Sequence, residues 1–116
     1  MNTDLKKRTF EFAINVINLV EEMGFSQTKK VVSNQLVKSA TSVGANYRAA
    51  CRSRSDKEFI AKMNIVLEES DECCFWLEII QRKKWSDVDL LLKEANELTA
   101  IFVTSLKTVN SRLNKR

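Results

Sequence analysis

Histidine and proline are absent from these 116 residues, and glycine occurs only twice, at Gly24 and Gly44. Without histidine there is no Ser-His-Asp or Cys-His nucleophile arrangement and no Glu-x-x-His pair of the kind that holds two iron ions inside a helical bundle. No GxxxxGK[ST] or GxGxxG run occurs, so a phosphate-cradling glycine loop is missing too. No stretch comes near the roughly 18 consecutive apolar residues of a membrane span. The opening MNTDLKKRTFEF mixes acids with bases, unlike the apolar segment of a secretory signal. A cytoplasmic, non-enzymatic protein is expected, with no metal, no cofactor and no membrane partner.

Cysteine is scarce and odd in number, at Cys51, Cys73 and Cys74. Adjacent cysteines on a helix diverge by about 100°, so Cys73 and Cys74 make no CxxC-like claw, and Cys51 adds no disulfide framework. All three are expected as packed thiols, behaving as small hydrophobes.

With so few helix breakers, the apolar residues that are present set the architecture. Val32, Leu36, Ala40, Val43, Tyr47 and Ala50 recur at spacings of three and four, as do Phe59, Met63, Val66, Ser70, Cys73, Leu77 and Ile80; each set is one face of a helix. Between them Cys51-Arg52-Ser53-Arg54-Ser55 is a reversal, and Ser55 with Glu58 reads as a capping box. Helices are expected over about 4–23, 27–51, 56–84 and 87–114, with Thr3, Ser26 and Ser86 as further N-caps and Gly24 in the left-handed position after the first helix. Gly44, inside the second helix, sacrifices about 1 kcal/mol of helix propensity relative to alanine, which points to a packing role. Short connections make neighbouring helices antiparallel. The fold class is therefore all-α, a single-domain up-down-up-down four-helix bundle roughly 35–40 Å long at 1.5 Å per residue.

Two helices carry more apolar surface than one bundle needs. On the first, Phe10, Ala13, Ile14, Ile17 and Val20 form one stripe, and Leu5, Phe12, Val16, Leu19 and Met23 a second beside it. Together they span roughly 220°, where a surface helix commonly uses little over 100°. On the third, Ile65, Trp76 and Ile79 lie away from the core line. Ile65, Trp76, Ile79, Phe12 and Val16 are accordingly expected at an oligomer interface.

Charge is uneven as well. Residues 1–14, 41–63 and 107–116 share one end of such a bundle and hold twelve bases against four acids, a net of +8, while the rest holds seven bases and eleven acids, a net of −4. A focused basic surface attracts polyanions. Arg48, Arg52, Arg54, Lys57, Lys6, Lys7 and Arg112 are the candidate nucleic-acid contacts, with RNA as the candidate partner. The alternatives are a solvated charged end, partly neutralised by pairs such as Asp4–Arg8 and Glu58–Lys62, or a scaffold that meets an acidic protein, its identity unknown. Tyr47 lies on the apolar stripe and is expected in the core rather than stacked on a base. Glu68, Glu69, Asp71, Glu72 and Glu78 are read as solvated or ion-paired rather than catalytic.

The segment Gln35-Leu36-Val37-Lys38-Ser39-Ala40 through Gly44-Ala45-Asn46-Tyr47-Arg48, then Arg54-Ser55-x-Lys57-Glu58-Phe59, Glu68-Glu69-x-Asp71-Glu72 and Trp76-Leu77-Glu78, resembles the bacterial four-helix bundle family encoded in 23S rRNA intervening sequences. That family is in turn similar to the accessory variability protein of diversity-generating retroelements. The match covers helices two and three in order; helices one and four match in pattern only. The resemblance implies a bundle without established enzymatic activity that assembles as a barrel-shaped homopentamer, and, for the retroelement relative, an association with nucleic acid and a reverse transcriptase. Cys51, Cys73 and Cys74 are not part of the family pattern and inherit no role.

Overall fold

A computed structural model of the chain describes residues 2–115, with side chains from Asp4 onward. The charge of Arg116 falls outside that description, and α1 begins at Asn2, ahead of Thr3, so Thr3 lies inside the helix and is not its N-cap. Four helices, α1 (Asn2–Glu22), α2 (Gln27–Ala50), α3 (Asp56–Lys83) and α4 (Asp89–Asn114), make up the fold.

Of the remaining local signals, those at Gly24, Ser26 Oγ and Ser55 Oγ work as read. Gly24, at φ 81°, takes the left-handed position that ends α1. Ser26 Oγ accepts the Lys29 N–H at 3.1 Å and Ser55 Oγ accepts the Glu58 N–H at 3.1 Å, opening α2 and α3. The exception is Ser86, which does not cap α4. The α3 terminus closes with Lys84 in the left-handed region at φ 58°, its N–H bonded to the Gln81 carbonyl and the Trp85 N–H to the Ile80 carbonyl, both at 3.1 Å. This six-residue closure needs no glycine. The chain then buries Val88 before turning into α4, so the helix starts at Asp89, whose N–H is bonded to Asp87 Oδ1 at 3.1 Å.

Each helix turns its stripe inward. Val16, Leu36, Ala40, Met63, Val66, Leu77, Ile80, Leu98 and Phe102 are all essentially inaccessible to water, and Tyr47 is buried beside Phe102, ring centroids 6.0 Å apart. Truncating a fully buried leucine or methionine of this kind typically costs about 2–5 kcal/mol. Phe12 and Val16 belong to this core: they are 2% and 0% exposed, so they cannot form an interface between intact copies. On α1 it is the other stripe that faces out, with Phe10 50% and Ile14 36% exposed.

Consecutive helices pack side by side, and α1 touches α4 least of all. The molecule measures 52 × 22 × 22 Å, longer than aligned helices would be. Stagger accounts for the extra length. Thr9 of α1 abuts Gly44 of α2, Ser39 of α2 reaches Glu72 of α3, and Ser70 of α3 bonds Thr99 of α4. Followed round the bundle, those pairings put Thr9 level with about Phe102, yet Arg8 meets α4 at Glu94 and Glu97. The helices climb as they go round, by roughly 10 Å at 1.5 Å per residue. On that side α4 outruns α1, which leaves an open apolar hollow bordered by Phe59, Ile101, Thr104, Ser105 and Thr108.

At Gly44 the two backbones come close, but a Cβ there would lie 3.5 Å from the Thr9 carbonyl oxygen, an ordinary contact. Gly44→Ala should therefore stabilise the fold, by up to about 1 kcal/mol through helix propensity alone. Gly44→Leu, too large for the gap, should destabilise it. Urea unfolding at low protein concentration checks both signs.

Candidate nucleic-acid interface

The turn between α2 and α3 is held by its own backbone. The N–H groups of Cys51, Arg52 and Ser53 bond the carbonyls of Tyr47, Ala49 and Ala50, each at 3.0 Å. Arg52, Arg54 and Lys57 project from this fixed base into solvent. Arg54 Nε lies 3.9 Å from the Glu58 carboxylate, but the arginine side chain is 90% exposed, and a pair of that kind is worth little. Arg112, arriving from the end of α4, donates to Asp56 at 3.1 and 3.4 Å, tying α4 to the first turn of α3. Arg54, Arg112, Ser53, Ser55 and Asp56 border one polar hollow of about 510 Å³. Lys107, Arg112 and Lys115 border a second with Thr108 and Ser111.

The remaining candidates lie elsewhere. Lys6 and Arg48 sit together on the α1–α2 groove, whose floor is Phe10, Ala13, Ile14, Ile17 and Gly44. Lys7 is on the other flank of α1, facing Leu90 and Glu94. Arg8, counted above among the bases of the basic end, is engaged by the opposite half of the molecule. Its Nη2 and Nε donate to Glu94 at 2.6 and 3.0 Å, and Nη2 also to Glu97 at 3.3 Å. The hydrogen bond to Glu94 is the main reason its guanidinium holds its proton still more tightly than usual. The basic end is thus a cluster around the turn and the α4 terminus, with Lys6 and Arg48 set on an apolar groove.

On α3, Ile65 is 42% exposed, whereas Trp76 and Ile79 are half-buried against the core, and the buried Trp76 Nε1 lacks a hydrogen-bond partner. The outward aromatic is Phe75, 58% exposed and edge-on to Trp76 with ring centroids 5.0 Å apart. Sequence reading passed over it, although its position nearly opposite Cys73 and Leu77 on the wheel marks it as outward. A wheel signal was available for α1 too: Lys7, Glu11, Asn18 and Glu22 centre the polar arc opposite Val16, which places Val16 inside.

Burial pushes the Cys73 thiol far up and raises Cys74 as well, the latter donating to Asn96 Oδ1 at 3.5 Å. Among the described residues no cluster of cysteine and carboxylate groups could hold a metal ion, and no helix is long and apolar enough to cross a membrane.

A staggered all-α bundle with a packed apolar core and a basic turn is the class these features define. The chain belongs to the 23S rRNA-intervening sequence protein family, whose model matches residues 1–104. It is similar to the crystal structure of a Bacteroides thetaiotaomicron protein of unknown function from the S23 ribosomal protein family. The two are 30% identical with a TM-score of 0.82, over 91% of this chain and 97% of the other. No curated protein matches. Lys107, Arg112 and Lys115 lie beyond the residues that the family model covers.

Thiol reactivity tests the contrast between turn and interior. At pH 8 the partly buried Cys51 should react well ahead of the other two with an aromatic disulfide reagent, because Cys73 and Cys74 hold their protons through burial and are shielded. All three should react in denaturant. Rapid reaction of three thiols in the native protein would contradict the packing described.

Proposed function

We propose that this protein is a non-enzymatic, homo-oligomeric bundle that binds structured RNA, or an RNA–protein complex, through the turn between α2 and α3. The observation that carries the proposal is the exposed set Arg52, Arg54 and Lys57 on a backbone-fixed turn. Arg112, Lys107 and Lys115 border hollows at the same end and widen the basic surface. Lysine and arginine contacts to phosphate supply most sequence-independent affinity. Such contacts suit RNA, whose duplexes are recognised largely by shape and backbone. Self-association is supported by apolar side chains left in water on two faces, Phe10 and Ile14 on α1 and Ile65 and Phe75 on α3. Five copies are proposed on the family resemblance. An assembly repeats the basic turn, and repeated weak contacts add as avidity.

Replacing Arg52, Arg54 and Lys57 together with alanine should weaken binding to a structured RNA at least about 10-fold and reduce the salt slope by up to about 3, roughly one per lost phosphate contact. Unchanged affinity and slope would remove the turn as the site. Co-purification of an acidic protein that survives nuclease treatment, with no RNA binding, would favour a scaffold instead.

A further inference from the structure

Apolar side chains also stand exposed at Phe25, Val31 and Leu90, but two faces on the sides of the bundle carry opposite charge. The groove between α1 and α2, about 250 Å³, is rimmed by Lys6 and Arg48, and α2 contributes four bases and no Asp or Glu along its whole length. The Phe75 face of α3 is the reverse. Between Lys62 and Arg82 the helix has five acids, Glu68, Glu69, Asp71, Glu72 and Glu78, and no base.

We propose that the acid-edged Phe75 ridge of one copy seats in the base-rimmed α1–α2 groove of the next. The inference rests on the self-association proposed above and assigns its faces. Phe75 and Ile65 of one copy then cover Phe10 and Ile14 of its neighbour, and Glu68 and Asp71 meet Lys6 and Arg48. Gly44 supports the assignment independently. It forms part of the groove, and its own chain leaves room for a methyl group there, so packing within one copy does not require a residue that weakens the helix by about 1 kcal/mol. A neighbour's side chain pressing on the groove floor would account for it. Because each copy uses two different side faces, the contact is heterologous, and repetition closes a ring or extends a filament. It also withdraws Lys6 and Arg48 from the RNA-contacting set.

The test mixes two variants. Phe10→Asp spoils the groove and Phe75→Asp the ridge; both positions are at least half exposed, so the fold should survive, which circular dichroism checks. Arg48→Glu provides a second groove variant at an exposed position. By light scattering each variant alone should fall to the protomer mass of 13.3 kDa. A groove variant mixed with the ridge variant should give twice that mass and no more, since one intact groove and one intact ridge remain. Either variant retaining the wild-type mass, or a mixture that stays monomeric while the wild type assembles, would overturn the choice of faces. A wild type that is itself monomeric would overturn the self-association along with it.

Discussion

Four apolar stripes meeting along one axis use up the inward positions of this molecule, and the rest of its design follows. Among the described residues, Thr9, Ser33, Ser39 and Ser70 are polar side chains caught inside. Three of them are satisfied on the spot: Thr9 by the Leu5 carbonyl at 2.8 Å, Ser39 by Glu72 and Ser70 by Thr99. Buried polar groups tied up in this way stabilise the fold and are not free to bind a ligand. Whatever the protein recognises has to be met by its outer surface, where charge and exposed apolar groups are the instruments.

The stagger of the helices sorts those instruments. Because α1 meets α4 about 10 Å away from where aligned helices would place it, Arg8 is spent on Glu94 and Glu97, in a half-buried two-pronged ion pair that clasps the loosest seam of the bundle. The same offset leaves the end of α4 unaccompanied by α1, so Lys107 and Lys115 stand clear and Arg112 folds back onto Asp56. The surface that results includes a compact basic tip built on a turn with fixed backbone, and two lateral apolar faces whose rims differ in sign.

Nearly all of the fold was legible in the sequence, because its signals are local. Spacings of three and four gave the helices, Ser26 and Ser55 their starts, and Gly24 the stop after α1. The start of α4 was misread because Lys84 adopts a left-handed conformation with no glycine to announce it. The site was legible in part. The turn arginines are where the sequence put them, since a short link between two long helices has nowhere else to go. Phe12 and Val16 were misassigned because two adjacent stripes on α1 look alike until the polar arc opposite them is used. Arg8 was misplaced because its partner is 86 residues away, and the helix offset that unites them is a property of four helices together.

The most direct measurement of the central claim is the affinity of the wild-type protein for a structured RNA at about 50 and about 200 mM salt, with duplex DNA alongside. If four or more phosphates are neutralised by the basic tip, affinity should fall by about 100-fold or more between those salts, and the RNA should be held more tightly than the DNA. No binding at the lower salt, or binding indifferent to salt, would contradict the account and leave the charged end as a solvated surface.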